Sequence, residues 1–285
     1  MFSSQNMRKS DAKSRLFFRF SFIFCIFISL FSLTLLTGCG RNADSVVIAG
    51  STSVQPFAEV LAQDYMASHP GVSIDVQGGG SAAGIMATQS GTTDIGMSSR
   101  NLQGSETSLW SIEIARDGIA IIINPKNPIT GLTLQQVADI YDGKTTNWDQ
   151  IGGKKGEIDV FTREDGSGTR SSFESLVMGK NQIMARAMVE NSNGAIRQLV
   201  ADDPAAVGYI SLGLVDSTVK ALDLGGIVPS RENVVNGTYN LSRPFLFLSL
   251  KPPTGLVKDF IDFTMSAQGQ KILYDQGLIT AGTNP

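Results

Sequence analysis

The chain has 285 residues, with 23 Lys and Arg against 26 Asp and Glu, a single His and two Cys. This balance excludes a basic nucleic-acid surface. Both cysteines fall within the first 39 residues, which leaves the rest of the chain no disulfide framework and no cysteine metal site.

Arg8, Lys9, Lys13, Arg15 and Arg19 precede an uncharged run from Phe20 to Thr37, the pattern of an export signal. The run is also long enough to cross a bilayer as an uncleaved anchor. At its end, Leu36-Thr37-Gly38-Cys39 resembles the lipobox of bacterial lipoproteins, which implies cleavage after residue 38 and lipidation of Cys39. Residues 1–38 are then the signal peptide and 39–45 a lipidated tether, and on either reading the chain is held at the outer face of the membrane. Removing residues 1–38 takes away five basic residues and one acid, leaving 18 basic against 25 acidic and a net charge of −7.

Val46 to Ala49 reads as a strand, followed by the turn Gly50-Ser51-Thr52-Ser53. Val54, Phe57, Ala58, Leu61, Ala62 and Tyr65 keep a helical period. Pro56 is tolerated only in the first turn, which places the helix start near Ser53. Val72 to Val76 alternates as a strand, and Gly78-Gly79-Gly80-Ser81 leads into a second helix reaching Gln89. Gly78 to Ala83 matches a loose dinucleotide fingerprint, but the next strand, Asp94 to Met97, ends in Ser98-Ser99-Arg100 where a ribose-binding acid should stand.

Ile112 to Ala115 and Gly118 to Ile123 read as two strands, the second buried because it is apolar throughout. Asn124-Pro125-Lys126-Asn127-Pro128 is a stiff turn segment and a candidate crossover. Thr133 caps a helix to about Tyr141, and Trp148 sits in a polar loop. Ile158 to Phe161 is a strand, joined by Arg163-Glu164-Asp165-Gly166-Ser167-Gly168-Thr169-Arg170 to a helical run from Ser171 to Met178. Further on come a helix around 195–201, a strand at 207–210, a Gly-rich segment to Gly237, and a buried strand from Phe245 to Leu250 that serves as the return crossover. Two helices finish the chain, near 255–265 and 268–276. No repeat of 20 to 50 residues is present.

Alternating strands and helices specify an α/β fold. Three of its helix starts follow Ser/Thr-bearing Gly turns, where unpaired N–H groups and the positive end of the helix dipole suit an anion. Each turn would equally serve as an ordinary cap. The three can converge only across a cleft between two lobes, and the third adds the forked donor face of Arg163. The boundaries expected are 46–123 and 246–285 for one lobe and 124–245 for the other.

Gly50-Ser51-Thr52-Ser53-Val54-Gln55-Pro56, Gly79-Gly80-Ser81, Asp94-Ile95-Gly96-Met97-Ser98-Ser99-Arg100 and Arg163 to Thr169 occur in an order that closely resembles the phosphate-binding lipoprotein component of phosphate ABC transporters, in its shorter bacterial form. Ser192 to Ile196 and Ala206 to Ile210 extend the likeness over the chain beyond the signal. The resemblance implies a two-lobed type II periplasmic-binding-protein fold with two crossover strands, a monomer without cofactor or metal. Its implied partners are inorganic phosphate, the permease of a phosphate ABC transporter and, through the lipid anchor, the membrane. It further implies that Thr52 binds by its hydroxyl, Ser53 by its backbone N–H and Ser81 by its hydroxyl, while Arg163 supplies charge, Ser167, Gly168 and Thr169 supply donors, and Asp165 holds Arg163. Ser99 stands where the longer members carry an Asp that accepts the phosphate proton, and a hydroxyl refuses sulfate far less than a carboxylate does.

Two other functions fit parts of the sequence. A phosphoester or serine hydrolase would use the Ser and Thr residues, but His69 follows a helix as a solvent-facing residue and no G-x-S-x-G elbow is present. Zinc would need a carboxylate-dominated shell. A binding protein for another tetrahedral oxyanion, sulfate or molybdate, would keep the fold and change the ligand.

Overall fold

The computed structural model describes residues 44–281. The export signal, Cys39 and most of the tether lie outside them.

Strand β1 (Ser45–Gly50) lies parallel between β2 (Ser73–Gly78) and β3 (Ile95–Ser98). Helix α1 (Gln55–Ser68) carries Pro56 in its first turn and buries Phe57, Ala58, Leu61, Ala62 and Tyr65 against this sheet. The face matches the apolar period of the sequence. Helix α2 (Ser81–Gln89) follows β2.

β4 (Trp110–Ile123) is one continuous strand where two were expected. Arg116-Asp117-Gly118 breaks the apolar pattern but not the backbone pairing. Residues 110–118 of β4 pair with β11 (Ser242–Ser249), and Ile119 to Ile123 pair with β8 (Ala206–Ser211). The change of partner at Gly118/Ile119 lies before the boundary expected at 123/124. In the segment after β4, Asn124 Nδ2 donates to Val200 O and Ala201 O at the end of a later helix, at 3.1 and 2.7 Å. On the return path, Arg243, Pro244 and Phe245 pair with Asp117, Arg116 and Ala115 of β4.

The middle of the chain adds β5 (Gly131–Leu132), α3 (Leu134–Tyr141), β6 (Asp159–Arg163), α4 (Gly168–Phe173), β7 (Met188–Glu190) and α5 (Asn193–Asp202) ahead of β8. Glu174 to Met178 continue α4 as a π-helical turn. Trp148, expected in a polar loop, is buried, and its Nε1 donates to Ala205 O at 2.9 Å. After β8 come β9 (Lys220–Ala221), β10 (Asp223–Leu224), α6 (Arg231–Val235), β11, α7 (Gly255–Met265), α8 (Ala267–Asp275) and β12 (Ile279–Thr280).

The main strand order is β2-β1-β3-β11-β4-β8-β6-β7. One core gathers Val46, Ile48, Phe57, Leu61, Ile114, Ala115, Phe245, Phe247 and Phe260; others gather Ile119 to Ile123 with Tyr141, Phe173, Ile196, Val207 and Tyr209. β4 feeds both groups, so the two lobes share a strand whose residues change core midway. The ends of β1, β3 and β6 and the starts of α2 and α4 meet where the lobes face each other.

Candidate functional site

β1 turns sharply at Gly50, whose φ is +141 and whose added Cβ would stand 2.3 Å from Met97 O. Only glycine fits that approach. The turn delivers Ser51, Thr52 and Ser53. Ser51 Oγ accepts from the backbone N–H of Ser53 at 3.2 Å and donates to Ser99 Oγ at 2.9 Å. Ser81, the first residue of α2, accepts at its Oγ from the backbone N–H of Ser99 at 3.0 Å. These form the wall of the first lobe.

Arg163 ends β6 and forms the centre of the opposing wall. It is 1% exposed. Its backbone N–H donates to the Tyr209 hydroxyl at 3.2 Å, and burial pushes that phenol up to about 12. The ring of Tyr209 stacks on Phe173 with centroids 4.1 Å apart, which ties the strand end to α4. The guanidinium donates from Nε and Nη2 to both oxygens of Glu164, each at 2.9 Å. Nη2 also reaches across the cleft to Thr52 Oγ1 at 3.0 Å. Nη1 is buried and has no hydrogen-bond partner among the described residues.

The lobes touch at further points. Ser53 Oγ lies 2.7 Å from Thr169 Oγ1 and accepts from Asn193 Nδ2 at 2.8 Å. The backbone N–H of Ala82 donates to Gly166 O at 3.0 Å. A Cβ added to Gly168 would fall 2.2 Å from Ser81 Oγ and 2.6 Å from Ser99 Oγ. The cleft is closed.

Of the residues singled out from sequence, Thr52, Ser53, Ser81, Ser99, Arg163, Gly168 and Thr169 converge here. Ser167 is buried beside them and caps α4, its Oγ accepting from the backbone N–H of Arg170 at 3.3 Å. Asp165 does not hold Arg163. Its side chain is 92% exposed at the turn tip and pairs with Arg170 at 2.7 Å. Glu164 takes the role because the residue after Arg163 still lies alongside the guanidinium, whereas the next one has turned outward. His69 is exposed and stacks on Tyr65, away from the cleft.

The sequence reading missed Arg243, Asp117 and Asn193. Arg243 is 2% exposed, and its Nε and Nη2 donate to Asp117 Oδ2 at 3.3 and 3.0 Å. Its Nη2 also donates to Ser53 Oγ at 3.2 Å and its Nη1 to Ser99 Oγ at 3.4 Å. Burial pushes the Asp117 carboxyl up and the Arg243 guanidinium down, and the ion pair opposes both shifts. A signal was present: each charge interrupts an otherwise buried strand, and a buried charge requires a partner.

Two lobes closed on hydroxyls, amide donors and two buried guanidinium groups define a binding protein for a small oxyanion. A family model for a PBP superfamily domain matches residues 37–268. The phosphate-binding protein PstS of Bacillus subtilis (strain 168) is 32% identical over 245 residues, which cover 84% of this chain and 81% of that protein. A crystal structure from Clostridium perfringens, described as a phosphate ABC transporter substrate-binding protein with bound phosphate, is 42% identical with a TM-score of 0.81, covering 83% of this chain and 99% of that one. An ABC-type phosphate transport receptor from Vibrio cholerae is 43% identical with a TM-score of 0.70, over 82% and 99% of the two chains. The chain belongs to the PBP superfamily and, within it, to the family of phosphate-binding proteins PstS, with the type II periplasmic-binding-protein fold.

Proposed function

We propose that this protein captures inorganic phosphate outside the cell membrane and passes it to the permease of a phosphate ABC transporter. The observation that carries this reading is Arg163 Nη1, a buried donor of a fixed cation that no group among the described residues satisfies. Leaving such a group unpaired is costly, and an oxyanion in the cleft would satisfy it with a charge-assisted bond. Thr52, Ser53, Ser81, Ser99, Thr169 and the N-terminus of α4 at Ser167 and Gly168 supply the remaining donors in this reading. The names of the relatives point to the same ligand.

The division into lobes belongs to the same proposal, with the hinges at the partner change of β4 and at the start of β11. The protein acts as a monomer that binds without turnover. Among the described residues no helix is long and apolar enough to cross a membrane. Attachment through a lipidated Cys39 rests on the sequence alone, and Cys39→Ala should move the protein from the membrane fraction to the soluble one, or to an uncleaved precursor, without changing affinity. Titration calorimetry with phosphate tests the binding, and incubation with a chromogenic phosphoester tests the absence of turnover. Lack of phosphate binding, or steady release of chromophore, would overturn the reading.

A further inference from the structure

We propose that the step from Asp165 to Gly166, at the tip of the turn between β6 and α4, is a site of spontaneous covalent modification, where the aspartyl residue isomerises to isoaspartate and the altered copy binds its ligand less tightly. The modification is read from the turn alone. Its effect on phosphate rests on the reading above.

Isomerisation begins when the backbone nitrogen of the following residue attacks the aspartyl Cγ, which requires a mobile side chain, an unpaired amide and an open approach. Glycine obstructs least, having no Cβ. The chain holds five such steps: Asp117-Gly118, Asp142-Gly143, Asp165-Gly166, Asn193-Gly194 and Asn236-Gly237. Four are held in place. Asp117 is buried and bonded through its two oxygens to Ser211 and Arg243, and Asn193 is equally buried between Ser53 and Ser211. The N–H groups of Gly143 and Gly237 donate to Ile140 O and Val234 O, each at 3.2 Å. Asp142 Oδ1 and Asn236 Oδ1 each accept from the backbone N–H two residues on, at 3.1 and 3.0 Å.

Asp165 differs on every count. Its side chain is 92% exposed, and its ion pair with Arg170 is of the solvent-facing kind that restrains a carboxylate weakly. The backbone N–H of Gly166 donates to no group among the described residues. A Cβ built on Gly166 would stand 3.6 Å from Ala82 Cβ, its nearest neighbour, so the approach is open.

With the carboxyl protonated, the Gly166 nitrogen bonds to Cγ, and the carboxyl hydroxyl leaves with the amide proton as water. The product is a five-membered imide. Water then adds at the other ring carbonyl, the backbone carbon of Asp165, and breaks its bond to the Gly166 nitrogen. The main chain now runs through Cγ, with no atom gained or lost overall. It is one carbon longer at the turn, by about 1.5 Å. Gly166 O accepts from the backbone N–H of Ala82 on the other lobe at 3.0 Å, and Ser167, Gly168 and Thr169 follow directly. Binding groups work only within about 0.5 Å of their proper places, so the lengthened turn cannot keep both the bridge and the donors in register.

Peptide mapping of the full chain in detergent, sampled as it ages in buffer, tests the modification. Isoaspartate leaves the mass unchanged, resists a protease that cuts before aspartate and elutes as a separate peak. The expected result is isoaspartate at 165 ahead of 117, 142, 193 and 236. Gly166→Ala, whose methyl makes only an ordinary contact with Ala82, should slow its formation severalfold by shielding the nitrogen. Calorimetry on the same samples should show the isomerised fraction binding phosphate about tenfold more weakly, the cost of one buried donor left unpaired at Ala82. Absence of isoaspartate at 165 in aged protein, or its equal accumulation at the buried steps, would overturn the proposal. Isoaspartate at 165 with undiminished affinity would overturn its effect on the cleft. Failure of fresh, unmodified protein to bind phosphate would instead overturn the phosphate reading, since the mapping does not depend on binding.

Discussion

Arg163 and Ser81 both face the cleft, yet their removal leaves different things behind. Arg163→Ala takes away a buried cation with an unshared donor, while Glu164, whose side chain is 29% exposed, can turn to water. The expected loss in phosphate affinity is about 3 kcal/mol, against about 1 kcal/mol for Ser81→Ala, which removes one neutral donor. Calorimetry on the two variants checks the order. Gly168→Ala tests closure: the added methyl would meet Ser81 Oγ and Ser99 Oγ on the other lobe at 2.2 and 2.6 Å. Phosphate affinity should fall by about 1–3 kcal/mol while the far-UV spectrum is kept. Unchanged affinity would mean that α4 does not approach α2 in the liganded state. At this scale the sequence revealed Arg163, Ser81 and the hydroxyl turns, because each sits at a strand-to-helix junction whose chemistry is local. Glu164 and Asp165 could not be told apart, since one step of a turn decides which side chain lies along the guanidinium. Arg243 was hidden because its ligands, Ser53, Ser99 and Asp117, come from three distant parts of the chain.

β4 is the element on which the two lobes depend, and its reading failed at an instructive place. Arg116-Asp117-Gly118 looks like a turn because charge and glycine interrupt an apolar run. In the fold the interruption is the joint itself: Asp117 pairs across the strands with Arg243 of β11, and its other oxygen accepts from Ser211 of β8. Gly118 lies so close to Leu212 that an added Cβ would stand 2.9 Å from its Cδ2. Pairing of this kind is nonlocal, so periodicity placed the strands but not their continuity. Asp117→Ala leaves the Arg243 guanidinium buried without a counter-charge, which should cost about 3–5 kcal/mol of stability. A lower urea midpoint at unchanged m-value would register it. A midpoint like that of the unmutated protein would mean that Arg243 finds water or another acceptor at the joint. By contrast α1, α3 and the cap at Thr133 lie close to where the sequence put them, because periodicity and capping act within a few residues.

Over the whole molecule, charge and function point in opposite directions. Residues 39–285 carry a net charge of −7, so the overall field repels the anion that the cleft is built to hold. Binding must then come from short-range donors, and those donors are buried: Arg163 and Arg243 are 1% and 2% exposed, and Ser53, Ser81, Ser99 and Thr169 are equally enclosed. Mobile ions screen interactions across solvent over about 10 Å at 0.1 M salt but act weakly on pairs from which water is excluded. Raising monovalent salt from about 0.01 to about 1 M should therefore change the phosphate dissociation constant by less than about threefold. The association rate should rise rather than fall, because screening removes a repulsion and no attraction. Stopped-flow fluorescence from Trp110 and Trp148, with calorimetry for the equilibrium, measures both. A steep loss of affinity with salt would assign the binding energy to exposed basic side chains instead of the closed cleft.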